Sequence, residues 1–254
     1  MAGAGPSGAH APHTSNGAPR ASRLATAAAI VAVVALSLPA IGVVGIHVGA
    51  LAPMTGFYAF AAGAVLGGLL ATLLGFAGLV ATRGGRDPDG RLRAWTGLGG
   101  GLALLGVVAI AAGPSSDLPP INDIATDLAD PPAFAGDPSG RGRDMTYPVD
   151  FVAQVRAAYP DLHPHVVGAS PDEAFDRAAS AANALGWDVT RADEAAGVLE
   201  ARDTTAIFRF VDDVVVRVRP HEQGAVVDVR SKSRDGRGDL GANAARIRAF
   251  VAKL

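Results

Sequence analysis

The residues best equipped for chemistry in this 254-residue chain lie near its carboxy end, in the polar run from Arg230 to Arg246. Gly236, Gly238 and Gly241 would let backbone come close to a ligand, and Arg234 and Arg237 offer guanidinium donors. Arg230, Ser231, Ser233, Asn243 and Arg246 add further polar groups. A helix expected from about Asp239 would aim its free N–H groups at the same place, which favours an anion. The run therefore reads as an anion- or ligand-binding site, for example for a carbohydrate phosphate. The plainer reading has Asp239 capping that helix while Arg230 or Arg246 pairs with the acidic partners Asp212 or Asp213.

Other constellations carry less. Asp212 and Asp213 could act as acid and base, but strand neighbours point to opposite faces. One paired with an arginine and one in a turn is the simpler arrangement. His163 and His165 have zinc-ligand character, yet no third ligand has suitable spacing, so a surface loop is expected. His221 with Ser231 does not make a triad. The chain has no cysteine, which excludes disulfides, thiolate metal sites and a cysteine nucleophile. No catalytic residue, metal site or cofactor is assigned.

The elements that must position these residues are legible in residues 163–254. After a strand near His165–Gly168, Ser170-Pro171-Asp172-Glu173 spells a capping box with proline in the first turn. Phe175, Ala178, Ala179, Ala182 and Leu185 form one helical stripe that Gly186 ends. Strands are expected around 187–191 and 198–202, and Phe208 and Phe210 share a face of the next segment. Val214, Val216 and Val218 alternate with polar neighbours, as do Val227, Val229, Ser231 and Ser233. The intervening Asp and Arg residues suggest cross-strand salt pairs on a wet surface. Leu240, Ala244, Ile247 and Val251 recur at helical spacing. The order β-α-β-β-β-β-α predicts an α+β domain with a mostly antiparallel sheet and helices on one face. Residues 114–162, rich in Pro and Asp, read as a linker laid on that domain, with a short helix near Phe151–Ala158.

The first half has a different solvent. No Asp, Glu, Lys or Arg occurs between Leu24 and Arg83, which no ordinary soluble domain shows. Three apolar runs, about 24–46, 57–81 and 94–112, are long enough to span a bilayer, so residues 23–113 are expected to be a transmembrane anchor. Residues 1–22, including His10 and His13, read as a disordered tail. Gly45/Gly49, Gly63/Gly67 and Gly97/Gly101 have the spacing that allows close helix approach, and His47 stands near a helix end. Arg20, Arg23, Arg83, Arg86, Arg91 and Arg93 flank the runs on one side only, which places the amino terminus in the cytoplasm and the last domain outside. The first run would serve as an uncleaved anchor or, alternatively, as a signal peptide. Before Pro114 six arginines face two aspartates, a balance of +4; after it 16 basic residues face 22 acidic ones, a balance of −6. That acidic half argues against a nucleic-acid partner.

Two stretches carry a family resemblance. Phe208-Arg209-Phe210-Val211-Asp212-Asp213 resembles an aromatic-Asp-Asp signature. Residues 230–246 resemble the pattern R-S-x-S-R-x-G-x-x-D-L-G-x-N-x-x-R. Together with Ile121–Asp127 and Asp130–Phe134, the chain over roughly 119–254 is similar to a family catalogued only as a domain of unknown function, found in bacterial envelopes and plastids, in the branch that follows membrane helices. The resemblance implies fold and location, and no activity. The expectation is a membrane-anchored envelope protein whose outer domain binds a partner protein, glycan or lipid without catalysis. A hydrolase using the Asp/Arg/Asn cluster and a structural subunit of a membrane assembly are the alternatives.

Overall fold

The computed structural model describes residues 22–85, 87–113 and 117–254. The tail expected at 1–22 therefore lies outside the described residues except for Ser22, as do Arg86 and Pro114.

Three helices are long and apolar enough to cross a membrane. They are α1 (Arg23–His47), α2 (Pro53–Ala81, with a π-helical turn at Ala62–Gly67) and α3 (Pro88–Ala112). At 1.5 Å per residue the shortest is about 37 Å, enough for a hydrocarbon core of about 30 Å. Helix α3 starts six residues before the expected Ala94. Asp87 accepts the Gly90 N–H and Pro88 occupies the first turn, so the cap places Arg91 and Arg93 inside the helix.

The described chain divides into two compact units. The first comprises residues up to Leu36 together with Val65–Leu105. Small residues let its helices touch: a Cβ on Gly97 would lie 2.7 Å from that of Ala28, and one on Gly101 would run into the Gly68 carbonyl and Thr72. Asp87 also accepts the Ser22 N–H, and Arg93 donates to Thr26.

The second unit comprises Ser37–Ala64 and Gly106–Leu254. Its centre is a six-stranded sheet, β1 (Asp123–Ala125), β2 (His165–Val167), β3 (Asp188–Asp193), β4 (Val198–Thr204), β5 (Val211–His221) and β6 (Gly224–Ser233). The order is β1-β6-β5-β4-β3, every pairing is antiparallel, and β2 joins the outer edge of β6 beyond β1. Five strands were expected; the sixth, β1, comes from the segment read as linker. Three residues among prolines give no periodic signal.

Helices α4 (Phe151–Ala158), α5 (Pro171–Ala184) and α6 (Ala242–Val251) complete the domain. The Ser170–Glu173 capping box forms reciprocally, and Gly186, at φ 76°, turns the chain after α5. Alternate residues of β5 and β6 (Val214, Val216, Val218, Ala225, Val227, Val229) face a core with Phe175, Ala178, Ala182, Ile247 and Phe250. Trp187 stacks on Phe250 at 5.1 Å. The start of α6 corrects the expectation of Asp239. Leu240 and Gly241 both have left-handed φ, so the helix cannot begin before Ala242.

The opposite face of the sheet is also covered, by the irregular segment 127–147. The wet surface expected there is dry: Asp213, Asp228, Arg230 and Glu200 are all buried. The reason is chemical, because that segment brings carboxylates, carbonyls and rings to meet the arginines of the strands.

Candidate functional site

The polar run divides between the two faces, since successive residues of β6 point in opposite directions. Ser231 and Ser233 face α6, whereas Arg230, Lys232 and Arg234 face the irregular cover.

On the α6 side the groups form one closed cluster. Ser231 donates to Asn243 (2.6 Å), whose amide donates to Ser233 (2.9 Å) and to the Asn122 carbonyl. Arg246 donates to Asn243, Ser231, Asp212 (2.6 Å) and Asp203 (2.8 Å). Every member of the cluster except Asp203 and Asn122 is buried. The plainer reading of the sequence holds here for Arg246 with Asp212.

On the covered side, Arg230 is 2% exposed and forms a two-pronged pair with Asp123, at 2.9 and 2.8 Å. It donates to the carbonyls of Pro132 and Met145 and lies between the rings of Phe134 and Tyr147, each 5.2 Å away. Its partner is thus Asp123, not Asp212 or Asp213. Arg234 and Arg143 both bind Asp213. The expectation that one of the two aspartates would sit in a turn gives way to both pairing with arginines, on opposite faces. Asp137 anchors the loop that carries Arg143. Burial works against its ionised form, but N–H groups of Arg143 and Ser139, the Ser139 hydroxyl and the Arg143 guanidinium outweigh it and hold its pKa far below the carboxylate range.

The turn itself is also filled from within. Asp239 accepts the N–H groups of Gly241 and Asn243, so its carboxylate occupies the anion position at the start of α6. Gly236, at φ 84°, accepts the Asn122 side-chain amide on its carbonyl. Arg237 is exposed and has no side-chain partner among the described residues. Asp213, Arg230 and Asn243, whose convergence would favour the hydrolase alternative, are bonded to separate partners. The described residues contain no group of three His, Asp or Glu side chains able to hold a metal.

What the structure brings together instead is a cavity of about 490 Å³ beside the closed cluster. Asp212 and Ser233 belong to its wall, along with the turn 235–240. The aromatic loop 205–210 forms a second side, and Met54 and Phe57, from the start of α2, a third. This loop is not the strand that Phe208 and Phe210 suggested. Thr205 bonds Phe210 on both backbone and side chain, Arg209 takes φ 54°, and β5 begins only at Val211. The two rings pack edge-on against Phe57, 5.2 and 5.8 Å away, and His47 Nε2 lies 3.1 Å from the Ile207 carbonyl. The loop's rings were visible in the sequence. Met54 and Phe57 were not, because nothing local links the start of an apolar helix to a loop some 150 residues later.

Fold and site define a class: an α+β domain with an antiparallel six-stranded sheet, preceded by three helices that can cross a membrane. Residues 123–254, from the first residue of β1 to the last of the chain, match the family described as "Protein of unknown function (DUF1499)", and the chain belongs to that family. No curated protein matches the chain.

Proposed function

We propose that this is a membrane-anchored binding protein of the cell envelope. Its amino terminus is cytoplasmic, and residues 163–254, with the segment 114–162 laid on them, hold an envelope component on the outer side without catalysis. One observation carries the reading. Apart from Arg237, the polar side chains that could have performed chemistry are bonded within the protein, whereas the space beside them is an apolar cavity of about 490 Å³. Sites for small ligands usually have roughly 300–1,000 Å³ and a mostly apolar lining with few polar groups, which fits. The orientation is supported by Arg83, Arg91 and Arg93 at the α2–α3 connection and by the lack of any arginine or lysine between α1 and α2.

The absence of cysteine makes the orientation directly testable. Gln223→Cys, in the exposed β5–β6 turn, should react with an impermeant maleimide on intact cells. Gly84→Cys should react only after permeabilisation, and the opposite pattern discards the placement. Binding is tested by incubating the purified full chain with envelope extract and recording native mass spectra. A retained envelope component is expected; a spectrum of bare protein alone rejects the binding reading.

A further inference from the structure

The cavity's walls restrict what it can hold, and this step rests on the binding reading above. Its third side is the first turns of α2, a helix apolar enough to cross a membrane. A ligand there would touch the start of a segment apolar enough to enter lipid. The aromatic loop and Leu240 supply apolar surface that a hydrocarbon chain would cover.

Charge at the rim favours one kind of headgroup. Three carboxylates line the cavity, and each already has partners within the protein. Asp212 is bonded to Arg246 at 2.6 Å, Asp235 to Arg141 at 3.2 Å, and Asp239 to the N–H groups at the start of α6. Two cations on the bordering loops are left over. Arg209 stands between Phe208 and Phe210, and Arg237 between Gly236 and Gly238, all four neighbours being part of the wall. Both guanidinium groups are exposed, and neither has an ion pair or side-chain hydrogen bond to any described residue. Apolar lining, contact with a membrane helix and spare positive charge occur at one place.

We infer that the cavity takes an acyl chain of an anionic phospholipid, with the phosphate met by Arg209 and Arg237. A guanidinium suits this role because its planar fork can donate two hydrogen bonds to one phosphate. A zwitterionic lipid of the same chain length would fill the cavity equally but gain less at the rim.

The test uses the full chain, delipidated in detergent and offered phosphatidylglycerol and phosphatidylcholine with identical chains. Native mass spectra should show one strongly retained lipid, with phosphatidylglycerol preferred about ten-fold, as two exposed charge contacts would give. Arg209→Glu with Arg237→Glu should erase that preference, phosphatidylglycerol retention falling about ten-fold further than that of phosphatidylcholine. Ala242→Phe, filling the cavity from its exposed edge, should lower retention of both lipids about ten-fold, since a filled cavity leaves the chain no apolar wall. Trp187 fluorescence reports whether the variant is folded; if it is not, Leu240→Asp, which puts a carboxylate on the same wall, replaces it. Undiminished retention in the folded filling variant means the lipid sits around the helices and overturns the inference. A preference that survives charge reversal overturns the role of the two arginines. Retention of a glycan or a protein from envelope extract, with neither lipid held, overturns this inference but keeps the binding reading. Bare protein in both experiments ends both.

Discussion

The helix-covered face of the sheet is apolar along most of its length, with its polar groups gathered at one end. The face beneath segment 127–147 is charged from one end to the other. The difference extends to how each carboxylate is served. On the irregular side Asp123 has Arg230 and Lys232, Asp213 has Arg143 and Arg234, and Asp228 has Arg217 and Arg219. On the helical side Asp212 has, among the described residues, Arg246 as its one cation. A segment without regular structure cannot fix its own backbone, and Arg143, Asp127 and Asp130 tie it into these shared pairs. A helix already rigid can rely on a single one.

The largest expected effect comes from breaking the single contact. Arg246→Ala leaves the Asp212 carboxylate buried with no cation, together with unmet groups on Ser231 and Asn243. Removing one partner of such a pair costs roughly 3–5 kcal/mol. Denaturant unfolding followed by Trp187, in a Trp95→Phe background, should show that loss. A cost below about 1 kcal/mol, the value of an exposed pair, would mean the cluster is wetter than its burial indicates.

Next is Arg230→Ala. Asp123 keeps Lys232 at 2.8 Å, so the penalty should fall at or below the lower end of that range, about 3 kcal/mol. Arg230→Lys should recover little. An ammonium group restores the charge but cannot reach Asp123, Pro132 and Met145 together or stack between two rings. Equal stability of the lysine variant and the wild type would show that charge alone matters on this face.

Redundancy itself is tested at Asp228. Arg217→Ala or Arg219→Ala alone should each cost about 1 kcal/mol or less, because the other arginine still serves the buried carboxylate. Arg219 is 42% exposed, so its single variant should be the milder. The double variant should exceed the sum of the singles by roughly 0.5–3 kcal/mol. Strict additivity would contradict shared pairing.

The same contrast explains what was legible in the sequence. Ser170-Pro171-Asp172-Glu173 and the valine alternation of β5 and β6 announce themselves, because capping and pleating act over a few residues. The apolar helices are equally plain from 59 consecutive positions, 24–82, without an Asp, Glu, Lys or Arg. In the candidate site the residue types were all visible, and Arg246 with Asp212 followed from them. The pairing of Arg230 with Asp123, 107 positions away, did not, because Asp123 lies in a proline-rich stretch without period. For the same reason the arginines of β5 and β6 looked solvated: alternation reveals which residues share a face, not what lies over it. Asp239 does serve the helix start, though from two residues before the cap at Gly241, and the free N–H groups assigned to an anion were the ones its own carboxylate takes.

The smallest effect sharpens the comparison at the centre of the irregular side. The Tyr147 ring lies against Arg230, but its hydroxyl is buried with the Ala125 backbone nearby and no well-formed hydrogen bond to any described residue. An unmet buried hydroxyl costs free energy that its removal returns, so Tyr147→Phe should be neutral or stabilising by up to about 1 kcal/mol while keeping the stacked ring. The hydroxyl also has a signature in pH. Burial first, and then the Asp123 carboxylate, push its pKa above the ordinary tyrosine value, so the folded state disfavours the phenolate. The unfolded chain therefore loses this proton first, and wild-type stability should decline as pH rises past about 10, the ordinary tyrosine pKa. The phenylalanine variant should lack this part of the decline. Parallel alkaline unfolding curves for the two proteins would show that the Tyr147 hydroxyl is hydrated in solution, and that the irregular cover admits water where the helical cover does not.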